Sequence, residues 1–184
     1  MRVNDMLLAR TTLLIFLVVT FSACNDVSRE RQSKALMNEA TKLIQRDGDV
    51  TKQFADEAAV AFTPEQRAQF PANRDFLKTH AANIIKLLDE SSSLNNRAAA
   101  KYEQAAGLSV NERQHKGMTM FADGFRKTVE INEIVKAMMQ TISDERVVDQ
   151  KTLNERFSQS RELVEQKRRE RDESFGNAKQ LMGL

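Results

Sequence analysis

Apolar residues recur every three or four positions along most of the chain, which is the period of a helix with one buried face. From Ala72 to Ala106 the row Leu77, Ala81, Ile84, Leu88, Ser91, Asn95, Ala98, Tyr102 and Ala105 alternates steps of four and three. It is a heptad-like stripe, apolar at both ends and polar at Ser91 and Asn95. A second stripe from about 111 to 142 runs through Met118, Phe121, Phe125, Thr128, Asn132, Val135, Met139 and Ile142. A third, from about Val147 to Leu181, uses Leu153, Phe157, Val164, Phe175, Ala178 and Leu181. Two shorter segments precede these. Ser28 to Arg46 carries Leu36, Ala40, Leu43 and Ile44, and residues 50–62 carry Phe54, Ala58, Ala61 and Phe62.

Local signals place the breaks. Asp47-Gly48-Asp49 predicts a stop followed by a cap at Asp49. Thr63-Pro64-Glu65-Gln66 predicts a restart, with Thr63 capping, Pro64 at the first helical position and Gln66 completing a capping box; Pro71 then ends or kinks this piece. Gly107 suits a C-terminal cap, and Ser109-Val110-Asn111-Glu112 reads as another capping box. The expected fold is therefore all-α: an elongated antiparallel helical bundle with three long helices plus shorter N-terminal helices. Each long helix would measure about 50 Å. The short link after Gly107 makes helices 72–106 and 111–142 a hairpin in which position i faces about 217 − i, so that His80 meets Ala137 and His115 meets Tyr102.

The chain's 6 Gly and 2 Pro in 184 residues are too few for the turns of a β-sandwich or propeller. Five of these eight lie at proposed breaks, while Gly117, Gly124 and Gly176 fall inside helices, where close helix approach or local weakness is expected. There are 28 basic and 26 acidic residues, a balance without the basic excess of a nucleic-acid footprint. Between Glu165 and Ser174 eight of ten residues are charged. That stretch reads as a solvated helix or as a charged docking face, with Glu165–Arg169, Arg168–Asp172 and Arg169–Glu173 spaced for ion pairs.

The N-terminus breaks the helical-domain pattern. Arg2 and Arg10 precede the apolar run Leu13-Leu14-Ile15-Phe16-Leu17-Val18-Val19, which ends at Phe21-Ser22-Ala23-Cys24. The uncharged stretch from Thr11 to Ala23 is shorter than the ~20 residues a spanning helix needs, and the layout is that of an export signal. Phe21-Ser22-Ala23-Cys24 resembles the lipobox of bacterial lipoproteins, with Phe21 where leucine is usual. The resemblance covers residues 1–24. It implies a signal peptide over 1–23, lipidation of Cys24 with fatty acyl chains such as palmitate, and a single mature domain over 24–184 in which 24–28 is a short tether. Two or more acyl chains hold stably in a bilayer. Asn25, in place of the retention aspartate, implies by that family's sorting the outer membrane, facing the periplasm, where the source has one.

Cys24 is the sole cysteine, so neither an internal disulfide nor a cysteine-based zinc site is expected. Glu112-Arg113-Gln114-His115 matches half of a di-iron motif, but the second half is missing, and the two histidines stand far apart in the hairpin. No Gly-x-Ser-x-Gly elbow or phosphate-cradling loop occurs. No catalytic residue, metal or cofactor beyond the covalent lipid is expected, and the chain reads as a non-enzyme. Phe62-Thr63-Pro64-Glu65-Gln66 is similar to the Leu-Thr-x-x-Gln motif of all-helical periplasmic stress chaperones, letters that a capping box also produces.

Two functions remain. One is a membrane-anchored envelope lipoprotein acting by protein contact, as a scaffold, adaptor or assembly factor. The other is a periplasmic carrier or chaperone that holds an apolar ligand or unfolded chain on a stripe of Met118, Phe121, Phe125, Met138 and Met139, residues that otherwise belong to the bundle core.

Overall fold

The computed structural model describes residues 26–184 together with their side chains. Its elements are α1 (Val3–Ala61), α2 (Pro64–Ala68), α3 (Arg74–Leu108), α4 (Glu112–Gln140), a 3-10 turn (Thr141–Ser143) and α5 (Gln150–Met182). The fold is an all-α antiparallel bundle, with four long helices rather than three. The predicted export signal and Cys24 lie outside the described residues.

The extra long helix arises because Asp47-Gly48-Asp49 does not interrupt α1. Gly48 costs a helix interior about 1 kcal/mol relative to Ala. Against that, Ala40, Val50 and Ala61 are buried, at 0%, 4% and 0% exposure, and Phe54 is half-buried between them. Their spacing stays helical across Gly48, and burying a valine such as Val50 is alone worth about 1.5–3 kcal/mol. Tertiary packing therefore overrides the local stop. Residues 26–28, expected as tether, are also helical.

The other boundaries follow their caps. Thr63 Oγ1 accepts from Gln66 N at 3.2 Å, and Pro64 opens α2. At α4 the cap is Asn111 instead of Ser109: Asn111 Oδ1 accepts from Arg113 N at 2.9 Å and Gln114 N at 3.2 Å. Gly107 stays inside α3, which ends two residues beyond the expected point. The left-handed cap is at Gly183, φ 74°, after α5.

The helices run up-down-up-down. α3 packs between α1 and α4, and α5 packs on α4, but no comparable packing joins α5 back to α1. All nine positions of the α3 stripe are buried. Its register against α4 is shifted from the expected pairing by about six residues, more than one and a half turns. Tyr102 stacks on Phe121 and Phe125, with centroids 5.1 and 5.6 Å away, rather than meeting His115. His115 Nδ1 lies 2.9 Å from the Ala106 carbonyl instead. The slide lets three bulky rings share the space left by Ala98 and Ala105.

The core is in two parts. One cluster joins Ala40, the Ala98–Ala106 end of α3, Met118–Phe125 and Ala178. The other joins Leu77–Leu88, Met139, Ile142, Leu153 and Phe157 near α2. Between them lies a polar waist.

Candidate functional site at the open seam

Ser91, Ser92, Asn95 and Asn132 form the waist, and all four are buried. Asn132 Nδ2 donates to Ser91 Oγ at 3.0 Å and lies 3.3 Å from Ser92 Oγ. Asn95 Nδ2 donates to the Ser91 carbonyl at 2.9 Å. Burying such groups without partners is costly, so the network is satisfied within itself.

A hollow of about 150 Å³ adjoins the waist, lined by Val50 and Phe54 of α1, Ser91 of α3, Asn132 and Val135 of α4, and Arg168 and Arg171 of α5. A second hollow of about 150 Å³ shares Phe54 and Val135 with it and adds Phe62, Met138 and Phe157. A third, of about 340 Å³, shares Arg67, Phe157 and Arg161 with the second. Through these shared residues the three form one groove along the α1–α5 seam, from the waist to α2. Its floor is apolar along the first two hollows, where Phe54, Phe62, Val135 and Met138 are only half-buried, while the third is lined mainly by polar side chains. Four arginines line it: Arg67, Arg161, Arg168 and Arg171. No Asp or Glu does, among the described residues.

The charged middle of α5 is thus not a helix beyond the core's edge. Val164 is buried, Lys167 reaches Glu130 of α4 at 2.8 Å, and Ser174 Oγ donates to Asp123 at 2.7 Å. None of the three expected i,i+4 pairs forms. Arg168 pairs with Glu165 at 2.9 Å and Arg171 with Asp172 at 2.8 Å, because Arg168 and Arg171 turn toward the seam.

The five residues of the Met/Phe stripe are not brought together. Met118, Phe121 and Phe125 are 1%, 8% and 7% exposed in one core cluster, while Met139 is buried in the other and half-buried Met138 packs against it. Only Met138 and Met139 reach the groove. The register shift and the two-part core separate what a single stripe suggested. Arg161, Arg168 and Arg171 were legible as part of a charged run, but their common face emerges only when they are placed in the row with Phe157 and Val164.

The histidines are at opposite ends of the α3–α4 hairpin, His80 near the start of α3 and His115 near the start of α4. His80 Nδ1 lies 2.8 Å from Glu57 Oε1, and Asn83 Nδ2 donates to the same oxygen at 2.7 Å. These hydrogen bonds, Asn83 first and His80 second, hold the Glu57 carboxyl below its ordinary range. Glu112 pairs with Lys116 at 2.8 Å, not with His115. Among the described residues no group of three or more His, Cys, Asp or Glu side chains is placed to hold a metal ion. No helix among them is long and apolar enough to cross a membrane.

Compared with known proteins, the chain matches no family model, no curated protein and no solved structure.

Proposed function

We propose that this chain is an exported lipoprotein, anchored in the bacterial cell envelope through Cys24, whose helical bundle acts without catalysis as a scaffold, adaptor or assembly factor. The observation that carries the contact role is the seam between α1 and α5. Three sides of the bundle are closed by helix packing, whereas this one leaves half-buried apolar side chains along a groove. Uncovered apolar surface rimmed by polar groups marks a place where another molecule binds. The anchor rests on the resemblance of Phe21-Ser22-Ala23-Cys24 to a lipobox. The mature chain would then enter the bundle from the Ala40 end, and the groove would open in the half away from the lipid.

The carrier reading draws less support, because Met118, Phe121 and Phe125 are interior. Metabolic labelling with a fatty acid analogue tests the anchor: Cys24→Ser abolishes the label, and unchanged labelling rejects the assignment. Photo-cross-linking in the native envelope tests the contact role, and a failure to trap any protein from every surface position rejects it. Binding of a free apolar ligand such as oleate, with no protein trapped from any surface position, would favour the carrier instead.

A further inference from the structure

We propose that the α1–α5 groove receives an acidic amphipathic helix of a partner protein. This deepens the contact reading and rests on it. The row of α5 along the seam steps by four and three through Leu153, Phe157, Arg161, Val164, Arg168, Arg171, Phe175 and Ala178, with Arg161 and Arg168 exposed. Its ends are core residues, and three of the positions between them are arginine. Those arginines stand where α5 would otherwise close onto α1, and their chain positions span about 15 Å of helix. Arg67 adds a fourth cation at the α2 end, and its Nε is buried without a hydrogen-bond partner.

Among the described residues, Arg67 and Arg161 take part in no ion pair. Arg168 and Arg171 pair only with carboxylates of their own helix, whose side chains are 57% and 65% exposed. Such exposed pairs hold weakly and exchange readily for a better-placed carboxylate. The groove therefore offers anion sites along one wall and an apolar floor beneath.

Three features choose the occupant. From Phe157 to Arg171 the groove runs about 21 Å, roughly four helical turns. Cations spread along that length suit a chain bearing several carboxylates, whereas a fatty acid presents one. The walls are helices whose backbone groups are already hydrogen-bonded within themselves, so they give an extended peptide no ladder to join. An occupant that satisfies its own backbone is a helix, docked by its apolar face.

The test uses the purified full-length protein and a synthetic peptide of about 20 residues, with leucines at helical spacing flanked by glutamates. The control is the same peptide with lysine for every glutamate. Fluorescence anisotropy should show the glutamate peptide binding at least 10-fold tighter, with the preference lost in Arg161→Glu/Arg168→Glu, where two cations remain against two new anions. Arg161→Gln/Arg168→Gln should weaken the preference without abolishing it, because Arg67 and Arg171 remain, and circular dichroism checks that both variants fold. Equal affinity for the two peptides, or unchanged preference in the variants, overturns the proposal. So does oleate occupying the groove while neither peptide binds, or a second copy of the chain closing the seam against the peptide in sedimentation. In the envelope, a photo-reactive residue at Ser158, in the groove, is compared with one at Gln53, on the α1 face toward α3. Cross-links from Gln53 alone overturn the groove and leave the contact role standing; cross-links from no position overturn both.

Discussion

Asn132 of α4 donates from Nδ2 to Ser91 Oγ of α3 at 3.0 Å, in the middle of the interface between the two longest-paired stripes. The bond joins one polar position of each stripe and locks their relative slide. Removing one partner from a buried pair leaves the other unsatisfied, at about 1–3 kcal/mol. Asn132→Ala should lower the unfolding free energy by that amount in urea titration. Ser91→Ala combined with Asn132→Ala should cost less than the sum of the single changes, and strict additivity would mean the two side chains are not coupled.

Gly124 and Gly48 should respond to alanine with opposite sign. A Cβ at Gly124 would lie 2.5 Å from the Phe175 ring, which is held edge-on against Phe125 at 5.0 Å. Overpacking of that kind costs about 1–3 kcal/mol, more than the ~1 kcal/mol gained in helix propensity. At Gly48 nothing lies within 4 Å. Gly48→Ala should therefore raise the melting temperature and Gly124→Ala lower it. A stabilised Gly124→Ala would show that α5 sits further from α4.

Phe121 is 8% exposed and touches Tyr102 and Phe175, with ring centroids 5.1 and 6.1 Å away. As a core residue its change to alanine should cost about 3–5 kcal/mol. Chemical denaturation reads this directly. A loss under 1 kcal/mol, converted from a near-unchanged midpoint, would return Phe121 to the surface and revive the carrier stripe.

Acid should act on the link between α4 and α5. The Arg146 guanidinium, helped by the Arg146 backbone N–H, pulls the Asp144 carboxyl down to about 2. Because the folded-state value is depressed, the stabilisation is present above the ordinary carboxylate range and is lost as pH falls through about 2. Carboxyl NMR should place the Asp144 midpoint near 2 in the native protein. In Arg146→Ala it should rise without fully recovering, since the backbone N–H of residue 146 still donates. The stability lost in Arg146→Ala should be largest at neutral pH and shrink as pH falls toward about 2, and a midpoint unmoved by the substitution would assign the depression to another group.

The sequence by itself determined the helical class, the buried face of each long helix and most of the breaks. The spacing of Leu77 through Ala105 named nine residues that are all interior. Thr63 and Gly183 marked real ends because capping is a matter of a few adjacent residues. It also marked Gly117, Gly124 and Gly176 as places to examine. Yet only Gly117 and Gly124 lie against α5, where a Cβ would meet Met182 at 2.7 Å or Phe175 at 2.5 Å, and Gly176 faces open space.

What only the tertiary structure decided is where competing packings settle. Gly48 reads as a stop until Val50 and Ala61 are seen buried beyond it. Ser109 and Asn111 are both good caps, and the choice between them changes the hairpin by part of a turn. Tyr102 could meet His115 or Phe121, and the rings decide. The row of α5 contains Phe157, Arg161 and Arg168 in plain sight, but whether it faces a closed core or an open seam depends on α1, about a hundred residues earlier. Periodicity is local and tells which face is buried. The partner of that face is chosen by side-chain volume and charge across the bundle, and those meet only when the chain has folded.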